Sequence, residues 1–349
     1  MIGKNTIDLD FLISLLQETG ASSDEKRISG LFRKYLRQDS DNVYGDIIGN
    51  TFATLNSHDG CHILLSSHID EIGMQVTEIC ADGLLKIRKV GGVSSLNLIG
   101  QEVVMTSSKG IIRGVVVFQN KDNNSIPDAD DCYIDIFCKN KCEAEQIVEI
   151  GDFFTFSPNA RIINDNIISK SIDDRIGVFI VSQVFHELAG KLKNINLSVA
   201  ATTQEEIGLR GMAVLSRNIA PTMCVNIDVA DACQINKKNQ PVMGDGCVLY
   251  RNADSNPHLR QMLYHIARQE NIPLQIAVGR NITGGTDSSR IQLFSPKTAV
   301  MDLSVPCKYM HTHHEQCSIS DVLSCINLLK VFIQHLDNSY QICPPDFTF

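Results

Sequence analysis

The chain has no basic run and no excess of positive charge: its 349 residues carry 31 Lys and Arg against 40 Asp and Glu, a formal net charge of −9. A nucleic-acid-binding surface, which needs clustered Lys and Arg, is excluded on that ground. Met1 to Gln17 lacks a basic segment followed by an unbroken apolar one, so no secretory signal is expected. No unbroken apolar stretch reaches the roughly 20 residues that a bilayer demands, so no membrane partner is expected either. The twelve cysteines include no Cys-x-x-Cys pair. Without an export signal they read as reduced thiols of a cytoplasmic protein, and Cys138 with Cys142 is an incidental pair rather than a metal half-site. There is no internal repeat and no low-complexity tail. The length suffices for a large core in one big domain or two.

What is present has two characters. Ile7, Leu9, Phe11, Leu12, Leu15 and Leu16 partly follow a helical stripe, with Thr6 as a cap. Ser22 to Glu25 offers a capping box for a second helix through Ile28, Leu31, Phe32 and Leu36. Val43 to Leu55 and His62 to Ser67 read as strands, the second nearly all apolar and therefore central. After Gly73 the pattern changes to short strands (Leu84 to Val90, Glu102 to Thr106, Ile111 to Phe118, Tyr133 to Phe137, Asp152 to Phe156) between Gly and Asn/Asp turns. Lys141 to Ile147 is the one helix candidate among them. This is the pattern of a small β-barrel or sandwich inserted as a module.

Alternation of helix and strand resumes near Asp173. Arg175 to Leu188, Pro257 to Gln269 and Ser320 to Leu336 read as helices, the last with Ser320 as cap; Leu197 to Thr203, Thr222 to Ile227 and Thr298 to Leu303 read as strands. The expected fold is α/β, a mixed, mostly parallel sheet sandwiched by helices, with the β-barrel-like module inserted. Residues 1–72 and 164–349 then form the α/β domain and 73–163 the β-rich insert.

Candidate chemistry lies at strand and loop ends. Glu205 and Glu206 follow a β-branched run and precede Gly208, so one can bind a metal while the other handles a proton of an activated water. His68 and Asp70 are two apart at the end of an apolar strand; His68 can ligate while Asp70 holds its other ring nitrogen. Asp173 and Asp174 sit where a loop enters a helix, a place that also suits plain capping. Asp228 ends a strand, where open α/β sheets gather their ligands. His311, His313 and His314 crowd one loop. The turn Gly284, Gly285, Thr286, Asp287, Ser288 can let a substrate backbone approach closely. Taken together, His68, Asp173, Glu206, Asp228 and His311 supply two imidazoles and three carboxylates. With one carboxylate bridging, each of two divalent ions has three protein ligands, and the carboxylates offset most of their charge. Zn²⁺, Co²⁺ and Mn²⁺ all suit such donors. Glu205 remains beside them as a general base.

The chain resembles the cytosolic dinuclear metallo-aminopeptidases that include glutamyl aminopeptidase, the deblocking aminopeptidases and the tetrahedral aminopeptidases. The resemblance runs in family order through His68 to Gly73, Gly91-Gly92-Val93, Ile172 to Gly177, Gln204 to Gly211, Ile227-Asp228-Val229, Gly284 to Asp287 and Tyr309-Met310-His311-Thr312. It implies that Asp173 bridges two metals, that His68 and Asp228 complete one site, and that Glu206 and His311 complete the other. Glu205 resembles the family's catalytic acid/base, and Asp70 the residue that orients His68. The resemblance further implies a zinc-peptidase-type catalytic domain, a β-rich dimerisation domain, and a homo-oligomer built from dimers into a hollow dodecamer. The family usually has Arg where this chain has Lys308, and often Pro where it has His313; both departures bear on specificity, and His313 or His314 is a rival to His311 as ligand.

The activity expected from this is hydrolysis of the N-terminal bond of short peptides. The rivals are a dinuclear metal deacylase or carboxypeptidase-type amidohydrolase, which shares the ligand chemistry, and a catalytically silent peptide-binding assembly protein.

Overall fold

The computed structural model describes residues 7–56, 60–107, 110–118, 128–232, 240–279, 282–283 and 285–339. It begins with two helices, α1 (Leu9–Gln17) and α2 (Lys26–Leu36). Phe11, Leu12, Leu15 and Leu16 form the buried stripe of α1, and the Asp8 carboxylate caps it by accepting from the Phe11 amide. Thr6, expected in that role, lies outside the described residues. The capping box expected for α2 does not form. Its start has no side-chain cap; the Ser22 hydroxyl donates instead to Asp70, and the Glu25 carboxylate accepts from the Ser23 and Gln204 amides. Tertiary partners that satisfy buried groups have won over the local motif.

The run Val43 to Leu55 is not one strand but a hairpin, β1 (Val43–Gly45) and β2 (Thr51–Leu55). Asp46 turns it by accepting from the Ile48, Gly49 and Asn50 amides. β3 (Cys61–His68) follows. Then come β4 (Gly73–Ile79), β5 (Leu85–Val90), the single helical turn α3 (Ser95–Leu98), β6 (Glu102–Ser107), β7 (Gly110–Phe118), β8 (Cys132–Asp135), another single turn α4 (Lys141–Ala144), and β9 (Phe153–Phe156). These strands close into a barrel in the order β4-β5-β8-β7-β6-β9. Closure removes both sheet edges, and the barrel has its own core around Met74, Val76, Ile87, Val103, Ile134 and Phe154.

The chain then runs through β10 (Arg161–Ile163), β11 (Asn166–Ser169), α5 (Ile172–Leu188), β12 (Ile195–Thr202), α6 (Arg210–Asn218), β13 (Met223–Asp231), β14 (Cys247–Tyr250), α7 (Pro257–Gln269), β15 (Leu274–Ala277), α8 (Ser288–Phe294), β16 (Ala299–Cys307), β17 (Glu315–Ser318) and α9 (Ile319–Ser339). Eight strands make one sheet, ordered β1-β2-β12-β3-β13-β16-β14-β15. The four central strands, β12, β3, β13 and β16, are mutually parallel, and β2 and β14 flank them antiparallel. These four are buried on both faces, so their sequences read as continuous apolar runs. The mixed, mostly parallel α/β sheet with an added β-barrel is the fold the sequence led one to expect.

α9 begins at Ile319, so Ser320 is inside its first turn; it is the Ser318 hydroxyl that accepts from the Ser320 amide. With 21 residues and a mean hydropathy of 1.3, α9 has the length and composition of a bilayer span. Here it is a core helix, packed on α5, β14, β16 and β17. The described cysteines are all free, Cys138 and Cys142 among them.

Candidate metal centre

Parallel pairing sets the site. His68 ends β3 directly opposite Thr202, the last residue of β12, and Asp228 lies near the C-terminal end of β13. Asp173 and Asp174 head α5, whose first turn departs from helical geometry at both residues, and the peptide bond between them is cis. Glu205 and Glu206 lie in the turn that leaves β12. His311 belongs to the loop between β16 and β17. All of these therefore meet beyond the carboxyl ends of the central strands, where a parallel sheet opens its crevice.

The two oxygens of Asp173 face two different imidazoles. His68 Nε2 is 3.0 Å from Asp173 Oδ1, and His311 Nε2 is 3.2 Å from Asp173 Oδ2. His311 Nε2 is also 3.3 Å from Glu206 Oε1. One donor atom each from His68, Asp173 and Glu206 falls within a 4.8 Å group, and so does one each from His68, Asp174 and Asp228. Asp174 was not singled out as a ligand in the sequence. Its carboxylate accepts from the Ser67 hydroxyl and the Gly177 amide, and a Cβ at Gly177 would collide with it. His68 Nδ1 stands 3.5 Å from Asp70 Oδ1, ion-pair range but long for a hydrogen bond.

The charge balance fits a divalent cation. Burial pushes Asp174, Asp228 and Glu205 well above the ordinary carboxylate range, and neighbouring carboxylates push them further. Glu206 is raised by burial and by Asp173. Burial works against the charged imidazoles, yet Asp173 and Glu206 hold His311 up to about 11, and Glu205 and Asp173 hold His68 well above 6.5. A site this rich in buried acids, with two imidazoles facing the two oxygens of one carboxylate, has the donor set for divalent metal.

Three further carboxylates hold the backbone around the centre, and two of them, Glu315 and Glu25, were not among the site residues expected. Glu315 accepts from the Asp173 amide at 2.9 Å through one oxygen and from the His311 amide at 2.8 Å through the other. It thereby ties together the two chain segments that meet at Asp173 and His311. Glu25 accepts from the Gln204 amide at 3.0 Å. Asp70, expected only to orient His68, also accepts from the Glu205 and Glu206 amides at 3.0 and 3.2 Å. Burial would raise its pKa, but the His68 ring, the Ser22 hydroxyl and the Glu205 amide outweigh burial and hold it below the ordinary value. Gly92 matters for a different reason: a Cβ there would overlap the His311 ring.

The remaining candidates lie as follows. His313 points away from the centre, its two ring nitrogens 2.8 Å from Gln101 Oε1 and 2.8 Å from the Ser157 carbonyl. His314 is exposed and stands edge-on to the His313 ring. Neither reaches Asp173, so His311 alone of the three belongs to the cluster. Thr286 is bonded to Asp302 at 2.9 Å; Asp287 is buried, bonded to Thr202, and raised by burial to about 6. Gly285 is exposed, and Gly284 lies outside the described residues.

Imidazoles and carboxylates converging at the carboxyl edge of a parallel sheet, with a second glutamate alongside, define a metallohydrolase. The chain belongs to the M42 glutamyl aminopeptidase family, whose model matches residues 49–328. It is 30% identical to the lysyl aminopeptidase of Pyrococcus furiosus, across 98% of this chain and 99% of that one. Among solved structures, it is similar to the TET aminopeptidase of the marine sediment archaeon Thaumarchaeota archaeon SCGC AB-539-E09 (TM-score 0.89, 27% identity, 94% and 97% of the two chains). It is also similar to the Pyrococcus horikoshii TET1 peptidase, which can assemble into a tetrahedron or a large octahedral shell (TM-score 0.84, 29% identity, 93% and 98%). The resemblance read from the motifs is borne out: the chain is a metal-dependent aminopeptidase, a hydrolase of peptide bonds.

Proposed function

We propose that the centre holds two divalent cations, with zinc as the first choice and cobalt or manganese as substitutes, and removes N-terminal residues from short peptides. Asp173 is the shared ligand, His68 and Asp228 complete one position, and Glu206 and His311 complete the other. The observation that carries this reading is Asp173 itself, whose two oxygens face His68 and His311 at 3.0 and 3.2 Å. The bound cations supply Lewis acidity to the scissile carbonyl and lower the pKa of the attacking water.

The protein's own groups do the rest. Glu205 takes the proton of the attacking water and passes it to the leaving amine. Burial and the Asp228, Asp287 and Glu206 charges raise its pKa in the metal-free centre, and neighbouring cations would draw it down toward the range of a base. Asp70 keeps His68 in register and fixes the turn that carries Glu205. The turn carrying Gly285, Thr286 and Asp287 is assigned to the approach of the substrate backbone, and the surplus of carboxylates favours a cationic free α-amine. The barrel mediates dimerisation, and dimers assemble into a dodecamer of the kind named for a related TET1 peptidase. The free cysteines support a cytoplasmic location.

The test pairs a variant with a substrate series. Glu205→Gln is expected to lose a factor of about 10² to 10⁴ in kcat while retaining its metal; wild-type turnover in that variant would remove Glu205 from the mechanism. Peptides with free termini are expected to shorten stepwise, and their N-acetylated forms to remain intact. Release of the acetyl group, or shortening from the C-terminus, would transfer the protein to the related amidohydrolases.

A further inference from the structure

The three histidines of the loop between β16 and β17 are absorbed unequally by the reading above: His311 is a ligand, His314 is a surface group, and His313 has no part. Yet His313 is held at both ring nitrogens. Its ring stacks on Phe156, with centroids 5.5 Å apart and 21° between planes. Nε2 meets the Ser157 carbonyl at 2.8 Å, and Nδ1 meets the Gln101 side chain at 2.8 Å. A carbonyl can only accept, so Nε2 carries the hydrogen. In the neutral ring Nδ1 then accepts, and Gln101 presents its amide nitrogen, since the two ends of an amide are interchangeable by a flip. The ring thus sits between the approach to β6 and the exit of β9, which are both barrel strands.

The main chain of His313 is held as well. Its carbonyl accepts from Asn159 Nδ2 at 2.6 Å, and Asn159 Oδ1 accepts from the Lys170 amide at 2.8 Å. Lys170 lies three residues before Asp173. One small network therefore joins the barrel exit, the segment leading to Asp173, and the loop carrying His311. That loop needs holding, because Tyr309 and His311 both adopt left-handed backbone conformations, φ 59° and 60°, that side chains other than glycine disfavour.

We infer that His313 is a positioning residue for the metal position completed by His311. It fastens the loop to the barrel and so sets how far His311 Nε2 reaches toward Asp173 and Glu206. The inference rests on the ligand assignment under the proposed function. It makes the barrel part of the centre's geometry.

The test is a Co²⁺ titration of the metal-stripped protein, followed by calorimetry and visible absorption. His311→Ala identifies which binding step belongs to the second position. In His313→Ala that step is expected to weaken about 10- to 100-fold, the range seen when an outer partner of a metal ligand is lost, while the other step stays within about twofold. His313→Gln, whose amide can still donate to the Ser157 carbonyl, is expected to recover most of the affinity; His314→Ala is expected to match wild type. Unchanged binding in His313→Ala, or an equal loss at both steps, would overturn the inference. Metal binding requires no turnover, so a wild type that binds two ions but cleaves no peptide sinks the proposed substrate and leaves the inference standing. A wild type that binds one ion only sinks both.

Discussion

Glu71 is 2% exposed and lies between two cations that are fully buried, Lys170 and Arg175. Lys170 Nζ is 2.7 and 2.8 Å from its two oxygens, Arg175 Nη2 is 3.4 Å from Oε1, and the Gly20 amide donates to Oε1 at 3.0 Å. Glu71→Gln keeps the shape but converts one acceptor into an amide that points its hydrogens at an ammonium. Two positive charges then share a dry site without their directly bonded carboxylate, with Asp70, Glu18 and Glu25 left as the acids acting on Arg175. Breaking a buried pair in this way costs about 3–5 kcal/mol. Lys170→Met should cost less, because Glu71 keeps Arg175. Burial and Arg175 already hold the Lys170 pKa below its usual value, and the Gln variant should lower it further. A depressed base means that the unfolded chain binds more protons than the folded one between the two pKa values, so stability rises with pH across that window. The deficit of Glu71→Gln should therefore shrink from pH 7 to pH 10. Urea unfolding followed by far-UV circular dichroism measures this directly. A loss below about 1 kcal/mol at pH 7, or a deficit that does not change with pH, would refute the electrostatic account of this cluster.

Other perturbations report on the centre itself. Gly92→Ala places a methyl group against the His311 ring and should weaken the second Co²⁺-binding step about tenfold or more; an unchanged titration would show that the ring has room to move. Glu25 is pushed up to about 7 from 4.5 by burial and by Asp70, so the folded state holds a proton that the unfolded state releases, and stability falls as pH rises from 4.5 to 7. Glu25→Gln keeps the acceptor for Ser23 and Gln204 and should be more stable than wild type at pH 8, by up to about 3 kcal/mol, but not at pH 4; thermal melts of the pair at both pH values decide it. Chelation should lower the melting temperature reversibly, since ligand at 100 times its Kd stabilises by about 2.7 kcal/mol per site; identical melts with and without chelator would argue against a bound ion.

The fold was legible where periodicity had room to show. The four buried parallel strands and the helices α5, α7 and α9 are long, and their apolar runs or stripes identify them. β14, β15 and β17 have four residues each, too few for a period to register. β4 escaped for another reason: a bulge between Val76 and Glu78 breaks its alternation. Ser22 and Glu25 matched a capping box yet serve Asp70 and Gln204, because the partners that matter to them are some 48 and 179 residues away in the chain.

The centre shows the same limit more sharply. Its buried carboxylates divide into two groups that composition cannot tell apart. Asp173 and Glu206 turn their oxygens toward imidazoles, and Asp228 and Asp174 cluster with His68. Asp70, Glu25 and Glu315 spend theirs on backbone amides of the segments that carry those groups. Motif order pointed to Asp173, Glu206 and Asp228 of the first group but not to Asp174, and to Asp70 of the second only as the residue that orients His68. The second acts across the chain, on amides whose positions exist only once β3, β12 and the His311 loop have come together. Such acceptors fix where a turn can sit, so an acid lost from the second group should misplace ligands that remain chemically intact. Glu315 is the clearest case, since one carboxylate holds the amides of both Asp173 and His311, and its loss should shift these two proposed ligands relative to each other.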